Sequence, residues 1–236
     1  MSMDRVYVAL DQMNHEEMVN LLLSSHGKIK NIKIGLEAYL KYGSGFLISI
    51  QKQFQVNIFL DLKLHDIPVT VSKAIASLSG LPVSFLTIHL TGGKEMIIEA
   101  LKARDQYLPY TKIIGVSFLT SLDNQNLNEM FNIDLNEKAF ERLFKLANET
   151  KIDGIVCSPN EVKMLKNINS NIITMTPGVR FQFEIDAGKN IGDQKRVASV
   201  EWALKNQCDY VVMGRSLTKT NGIEELNQRI DLISKI

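Results

Sequence analysis

Two acids and a lysine lie close enough in the sequence for their side chains to converge on one small ligand. They are Asp61, Lys63 and Asp66, in the segment Asp61-Leu62-Lys63-Leu64-His65-Asp66-Ile67-Pro68. The apolar run at residues 56–60 leads into this segment and predicts a buried strand whose end carries Asp61 and Lys63. Side chains alternate between the faces of a strand, so these two should project the same way, roughly 7 Å apart. The segment therefore predicts a reaction site.

Each of these charges also has a purely structural interpretation. Asp61 and Lys63 could form an ion pair at a strand end. Asp66 could cap the helix that follows, because Pro68 suits a first helical turn. Three charges near a buried strand end are costly unless they compensate one another, and a fold that needed only stability could use apolar residues there. The cluster of charges therefore favours a functional site over a purely structural interpretation.

The rest of the chain predicts strands that alternate with helices. The predicted strands cover residues 6–10, 31–36, 56–62, 84–90, 112–118, 153–157, 171–176 and 209–213. The predicted helices cover residues 16–25, 38–53, 69–78, 94–107, 137–150, 161–166, 196–206 and 223–234. The Asn-rich stretch at 124–136 is the longest polar connection and predicts a surface loop or an extra short helix.

This alternation predicts an α/β fold, the TIM (β/α)8 barrel. Several predicted strands are almost continuously apolar, which is typical of a parallel sheet covered by helices. Eight βα units in a chain of this length fit a barrel, and a doubly wound open sheet is the alternative. No linker or shift of composition divides residues 1–236, so we expect one domain.

In a TIM barrel the active residues lie at the carboxyl ends of the strands. Asp11 follows the first predicted strand, Lys33 belongs to the second, and Asp61 and Lys63 end the third. Adjacent strands would gather these four side chains around one mouth. Taken alone, Asp11 could cap a following turn and Lys33 could be an exposed edge charge. Their combination favours a site.

The ends of the seventh and eighth predicted strands indicate an anion site, because TIM barrels commonly bind phosphate there. Arg180 follows the seventh strand and Gly214-Arg215 follows the eighth. Gly214 would let the backbone approach an anion closely, and Arg215 could pair with two phosphate oxygens. Gln194 adds a neutral donor on the long loop after the seventh strand. The polar, glycine-containing stretch at 181–191 predicts a mobile lid.

Composition narrows the class of function. The formal net charge is +1, which argues against a general nucleic-acid or membrane surface, because both usually need a basic patch. Hydrophobic residues make up 45% of the 236 residues, which is enough for a substantial core. The chain has no 18-residue apolar span and no signal-peptide pattern before its first strand, so we expect a cytoplasmic protein. Cys157 and Cys208 lie outside any metal-ligand spacing and are predicted to be buried small hydrophobes.

With these residues assembled, the chain resembles the orotidine 5'-phosphate decarboxylase family over nearly its whole length. The matching segments are Ala9-Leu10-Asp11, Lys33-Ile34-Gly35, Asp61-Leu62-Lys63-Leu64-His65-Asp66-Ile67-Pro68-Val69-Thr70, Leu119-Thr120-Ser121, Thr176-Pro177-Gly178-Val179-Arg180, Asp193-Gln194-Lys195-Arg196 and Gly214-Arg215-Ser216. The long block that begins at Asp61 is the most specific. Two features depart from the family. Val69 stands where a polar residue such as Asn is usual, and the segment from Arg180 to Gln194 is longer than in common bacterial forms.

The resemblance implies the decarboxylation of orotidine 5'-monophosphate to uridine 5'-monophosphate and CO2, the last step of UMP synthesis, with no cofactor or metal. It also implies a homodimer of TIM barrels with shared active sites. Asp66, Ile67 and Thr70 would reach into the neighbouring subunit's site, where Asp66 would complete a charged array with Lys33, Asp61 and Lys63.

The resemblance implies roles for the remaining site residues as well. Asp11 would hold ribose hydroxyls, and Thr120 would contact the base. The phosphate group would be held by Gln194, Gly214 and Arg215, with Arg180 nearby.

The reaction explains why these residue types are needed. Loss of CO2 from C6 of the pyrimidine leaves an electron pair in an sp2 orbital orthogonal to the ring π system, so the ring cannot delocalise it. The site must stabilise that charge electrostatically. The resemblance makes Lys63 the proton donor to C6, while Asp61 would oppose the substrate carboxylate by a repulsion that fades as CO2 leaves.

Two other hypotheses remain open. One is a Mg²⁺-dependent sugar-phosphate decarboxylase or aldolase of the same superfamily, with a similar Asp-x-Lys-x-x-Asp core. The continuation of the motif through Pro68 and the absence of an evident extra metal carboxylate speak against it. The other is a noncatalytic nucleotide-binding barrel, which the presence of every implied catalytic residue disfavours. We interpret His65 and His89 as structural hydrogen-bonding groups, because the decarboxylation already has its acid in Lys63.

Overall fold

A computed structural model describes residues 2–119, 121–132, 137–188 and 197–236. Eight parallel strands close into a barrel in which neighbours in sequence are neighbours in space, and the first strand pairs with the last. The barrel strands are β1 (Val6–Ala9), β2 (Asn31–Gly35), β3 (Asn57–Leu64), β4 (Val83–His89), β5 (Lys112–Val116), β6 (Gly154–Val156), β7 (Ile173–Thr176) and β10 (Tyr210–Met213). The predicted TIM barrel is confirmed, and the open sheet is not what the chain forms.

The barrel strands match the predicted ones with ends shifted by at most two residues. A small parallel pair outside the barrel, β8 (Val179–Arg180) and β9 (Ala198–Ser199), was not predicted. It corrects the helix predicted from residue 196, because Ser199 is extended and its side chain caps the helix that starts at Val200. Strands of two residues have no periodic signal in a sequence, which is why the pair was missed.

Helices cover the outside of the barrel. They are α1 (His15–Ser24), α2 (Leu36–Phe54), α3 (Pro68–Ser77), α4 (Gly93–Tyr107), α5 (Asn124–Phe131), α6 (Glu137–Thr150), α7 (Val162–Ile168), α8 (Gln182–Asp186), α9 (Val200–Lys205), α10 (Arg215–Thr218) and α11 (Ile223–Ser234). The Asn-rich stretch thus contains a short helix, α5. The structure adds α8 and α10, which are too short to show a helical period. None of the helices in the described ranges is long and apolar enough to span a membrane.

The barrel interior is filled by an aromatic cluster. Tyr7, Phe59 and Phe85 pack edge to face, with ring centroids 5.6 to 6.2 Å apart, and Tyr210 packs against Tyr7 and Phe85. Phe59 lies two residues before Asp61, so it shares the inward face of β3. The rings therefore form an apolar layer inside the barrel, and Phe59 is the one of them that reaches the cavity at the mouth.

Partly buried ion pairs stabilise the opposite, amino-terminal face of the barrel. Asp209, just before β10, accepts hydrogen bonds from the Lys166 ammonium at 2.6 Å and from the Thr174 backbone N–H at 2.8 Å. The Arg104 guanidinium is similarly paired with the Asp153 carboxylate before β6. Charges at this end of a TIM barrel act on stability, because chemistry takes place at the other end.

The packing of β6 leaves no room for a side chain at Gly154. A Cβ there would lie 2.7 Å from the Ile173 carbonyl oxygen and 2.7 Å from Ile114 Cδ1. We expect Gly154→Ala to lower the free energy of unfolding by about 1 to 3 kcal/mol, because the neighbouring strand must move. Urea denaturation followed by circular dichroism measures this change.

Gly45→Ala is the matched control, because a Cβ at that position in α2 meets no atom within 4 Å. Alanine favours helix more than glycine by about 1 kcal/mol, so this variant should be neutral or more stable. Equal destabilisation by the two substitutions would contradict the packing argument.

Candidate active site

The carboxyl ends of the barrel strands surround a cavity of about 420 Å³. Its walls include residues from both halves of the barrel, which brings the predicted acid–lysine cluster and the predicted anion site to one space. The predicted site residues that line it are Asp11, Lys33, Asp61, Lys63, Arg180, Gly214 and Arg215.

Asp61 is the centre of the charged cluster. Its Oδ2 atom lies 2.6 Å from the Lys63 ammonium and 3.4 Å from the Lys33 ammonium. The Lys33 ammonium also bonds Asp11 Oδ2 at 2.5 Å. The Asp61 and Lys33 side chains are only 10% and 11% exposed, so Lys33 is not the exposed edge charge of the alternative interpretation. Two carboxylates and two ammoniums thus alternate along a short line.

Burial and charge act in opposite directions on the two inner groups. Burial alone would lower the pKa of Lys33, but the carboxylates of Asp61 and Asp11 raise that pKa above its ordinary value. Burial alone would raise the pKa of Asp61, but the ammoniums of Lys33 and Lys63 hold it below its ordinary value. Both groups are therefore charged at neutral pH, and each depends on the other for that state.

Gly35 leaves the space that Asp11 occupies. A Cβ at Gly35 would lie 2.4 Å from Asp11 Oδ1 and 3.3 Å from the Lys33 ammonium. Because both contacts are with charged atoms of the cluster, any larger residue at Gly35 would displace the Asp11–Lys33 pair. The Asp11 carboxylate is therefore held by its ion pair with Lys33, in space that Gly35 leaves open, and not by the turn-capping role of its alternative interpretation.

The end of β3 is irregular. Leu60 pairs with Leu86 of β4 and Leu64 pairs with Ile88, so three residues of β3 lie opposite one residue of β4. Lys63 within this bulge has φ of 49°, in the left-handed region. The sequence predicted a regular alternating strand, and the bulge corrects that prediction. It brings the charged ends of Asp61 and Lys63 into direct contact.

Three predicted site residues lie outside the cavity. Asp66, Ile67 and Thr70 are exposed and do not line the cavity, and Ile67 is 62% exposed. The N-cap residue of α3 is Ile67, so the capping interpretation of Asp66 is not what the structure shows. Asp66 Oδ1 accepts a bond from the Ile67 backbone N–H at 2.7 Å.

Two predicted site residues, Thr120 and Gln194, lie outside the described residues, as does the part of the predicted lid after Gly188. The described part of that stretch begins with Phe181 and the short helix α8.

A buried network connects α8 with the turn that carries Arg215. The Glu184 carboxylate accepts bonds from the Ser216 hydroxyl at 2.5 Å, the Arg229 guanidinium at 2.8 Å and the Phe181 backbone N–H at 3.2 Å. Arg229 also donates to the Ser216 carbonyl oxygen at 2.6 Å. This network ties together two segments of the anion side. Sequence reasoning missed it, because Glu184 and Arg229 are 45 residues apart.

His65 and His89 lie side by side, with ring centroids 5.0 Å apart. Burial, together with the nearby His65 and the Lys63 ammonium, lowers the pKa of His89 to about 4. His89 is therefore neutral at pH 7 and does not compete with the lysines for Asp61. The interpretation of this pair as structural remains a prediction.

The floor of the cavity is apolar, and sequence reasoning did not assign it. It is formed by Phe59, Val116, Val156, Met175 and Val212, one from each of five strands. The sequence could have assigned Phe59 to the cavity, because this residue lies two positions before Asp61 and shares its face of β3. A flat unsaturated ring could lie on such a floor with its polar edge toward the charged wall.

The described ranges contain no group of three or more His, Cys, Asp or Glu side chains that could hold a metal ion. Cys157 and Cys208 are both buried, as predicted, and neither forms a disulfide.

The fold and the site together define a TIM-barrel enzyme. The chain belongs to the orotidine 5'-phosphate decarboxylase / HUMPS family, whose model matches residues 4–229. The orotidine 5'-phosphate decarboxylase of Ehrlichia chaffeensis is 39% identical over 92% of this chain and 90% of its own length. That of Thermobifida fusca is 38% identical over 91% and 88%. The crystal structure of the enzyme from Lactobacillus acidophilus superposes with a TM-score of 0.79 at 30% identity, covering 98% of this chain and 97% of that one.

The Glu184–Arg229 pair allows a test of the network. Its side chains are 4% and 12% exposed, so Arg229→Met leaves a buried carboxylate without its cation. We expect a loss of about 3 to 5 kcal/mol in the free energy of unfolding, measured by urea denaturation. Adding Glu184→Gln should restore part of the lost stability, because the amide of glutamine carries no charge.

Lys102→Met is the control, since Lys102 pairs with Glu99 on the surface and is 67% exposed. It should cost less than about 1 kcal/mol. A similar small cost for Arg229→Met would mean that the buried network contributes little.

Proposed function

We propose that this protein decarboxylates orotidine 5'-monophosphate to uridine 5'-monophosphate and CO2, the last step of UMP synthesis. The observation that carries the proposal is the Asp61 carboxylate buried between two ammoniums at the barrel mouth, 2.6 Å from Lys63 and 3.4 Å from Lys33. The family and the printed names of the relatives support the same activity.

The charged wall supplies what the reaction needs. When the bond from C6 to the carboxylate breaks, its electron pair stays at C6 in the plane of the ring, and CO2 departs. An ammonium in that plane stabilises the pair electrostatically and then transfers a proton to C6. We assign this role to Lys63, whose side chain is 39% exposed toward the cavity while Lys33 is enclosed. Lys63 regains its proton from solvent after the product leaves.

The other groups hold the substrate by its two ends. We propose that Asp11 binds ribose hydroxyls and that Arg215 and the Gly214 backbone bind the phosphate, with Arg180 nearby. All four residues line the cavity. We also propose that Thr120 contacts the base and that Gln194 contacts the phosphate. Phosphate is remote from the bond that breaks, but its binding energy can organise the charged wall, so losing this grip should lower turnover as well as affinity.

We further propose a homodimer with shared active sites. Asp66, Ile67 and Thr70 lie exposed next to the cavity without lining it, and Ile67 and Val69 expose apolar side chains there at 62% and 53%. Exposed apolar side chains beside a charged residue are what an interface with a second copy would cover. In the dimer, Asp66 of each subunit would add a second carboxylate next to the partner's Lys63.

Turnover of orotidine 5'-monophosphate after treatment with EDTA tests the function. We expect full activity, because the proposed chemistry uses only side chains. The decrease in absorbance of the substrate measures this activity. A Mg²⁺-dependent sugar-phosphate enzyme would give no such turnover. A noncatalytic nucleotide-binding barrel would bind the nucleotide without releasing CO2. Either result would overturn the proposal.

Lys63→Ala identifies the proton donor within the same assay. It should lower kcat by roughly a hundred- to ten-thousandfold or more while still binding uridine 5'-monophosphate, because the phosphate side is untouched. Lys102→Ala, on the outer surface of α4, is the control and should keep wild-type turnover. Comparable turnover by the two variants would refute the role of Lys63.

Mixing two inactive variants tests the shared site. In a hybrid dimer of Lys63→Ala and Asp66→Ala subunits, one of the two sites regains both groups. Random subunit exchange should therefore restore about a quarter of the wild-type activity. Mixing Lys63→Ala with Asp61→Ala is the control, because both groups belong to one subunit's site and no hybrid site regains them. Absence of recovery in the first mixture, with exchange demonstrated by mass spectrometry, would argue against the shared site.

A further inference from the structure

Thr87 is the single residue of β4 that lies opposite the bulge of β3. The ladder between these strands pairs Phe59 with Phe85 and Leu60 with Leu86, and it resumes only at Leu64 and Ile88. A bulge removes backbone groups from the ladder, and buried N–H groups need another partner. The structure must therefore supply one inside the bulge, next to Asp61 and Lys63.

The Thr87 hydroxyl is that partner. Its Oγ1 atom accepts a hydrogen bond from the Lys63 backbone N–H at 2.8 Å and donates one to Asp61 Oδ1 at 2.9 Å. Thr87 is completely buried, so water cannot substitute for either contact from outside. A hydroxyl has one hydrogen to donate, and its direction is fixed here because the N–H can only donate.

These two bonds determine how the charged groups face each other. With Oδ1 of Asp61 held by Thr87, the carboxylate presents Oδ2 to both ammoniums, at 2.6 Å for Lys63 and 3.4 Å for Lys33. The bond to the Lys63 N–H holds that residue in its left-handed backbone conformation, with φ of 49°, which side chains with a Cβ adopt reluctantly. Without the hydroxyl, both the carboxylate rotation and the bulge lose their restraint.

We propose that Thr87 is a positioning residue of the decarboxylase site, which orients the Asp61 carboxylate and the Lys63 backbone through one hydroxyl. The inference rests on the proposed function, because it gives Lys63 and Asp61 their chemical roles. Thr87 does not line the cavity, so it acts only through these two neighbours.

Thr87→Val is the central test, because valine keeps the branched shape and removes the hydroxyl. We expect kcat to fall roughly ten- to a hundredfold, as for the loss of a hydrogen bond to a charged group, with KM for orotidine 5'-monophosphate changed less than about threefold. Thr87→Ser retains the hydroxyl and should stay within about threefold of wild-type kcat.

Thr111→Val is the matched control. Thr111 is 3% exposed and its hydroxyl donates to the Val83 carbonyl oxygen at 2.6 Å, at the amino-terminal ends of β4 and β5. This variant loses a buried hydroxyl bond of the same kind far from the mouth. It should lose stability in urea denaturation and keep wild-type kcat.

The pH dependence separates positioning from packing. The hydrogen bond from Thr87 is among the contacts that hold the pKa of Asp61 down, after the two lysines. Removing it raises that pKa, so the acid limb of the kcat/KM profile should move to higher pH in Thr87→Val. The acid limb of Thr111→Val should coincide with that of the wild type.

The wild-type assay in EDTA keeps the two proposals distinguishable. If the wild type fails to release CO2, the proposed function fails. If the wild type is active and Thr87→Val keeps its kcat and acid limb, only the Thr87 inference fails. If Thr87→Val does not fold, Thr87→Ser and Thr87→Ala provide the comparison, since they differ only in the hydroxyl. Equal kcat in these two folded variants would overturn the inference, and a tenfold or larger deficit in the alanine variant would support it.

Discussion

The pairing of one buried carboxylate with two ammoniums is the constraint on which the site depends. Asp61 has almost no contact with solvent, so its charge persists only because Lys33 and Lys63 compensate it. Those ammoniums in turn need Asp61 and Asp11. Such an array produces a strong local electric field from charges at fixed positions. Fixed charges stabilise a developing carbanion without the reorganisation that water would need. The absence of a side chain at Gly35 and the bulge of β3 both serve to keep this array in place.

Much of this arrangement could be predicted from the sequence because its signals are local. Each buried strand of a parallel barrel is a short apolar run, and the helices between them have their own period, so the barrel follows from counting such units. The charged residues stand at strand ends, and parallel strands bring those ends to one mouth. Asp11, Lys33 and Asp61 could therefore be placed together before any coordinates, as the structure places them.

The features that escaped prediction depend on contacts between distant residues. A regular strand and a bulged one have the same sequence pattern, so the left-handed conformation of Lys63 and the role of Thr87 opposite it could not be read from the chain. In the sequence, Arg229 lies one helical turn from Glu225, a spacing that predicts only a surface ion pair. In the structure Arg229 also donates a hydrogen bond to the buried Glu184. The pair β8–β9 has too few residues for any periodicity.

The separation of paired charges between the two faces of the barrel has a practical consequence. The amino-terminal face, with its Lys166–Asp209 and Arg104–Asp153 pairs, lies a strand length away from the mouth. Tyr110, in the connection from α4 to β5 on that side, is 95% exposed. A cysteine introduced there could tether the protein to a solid support while the substrate entrance stays open to solution.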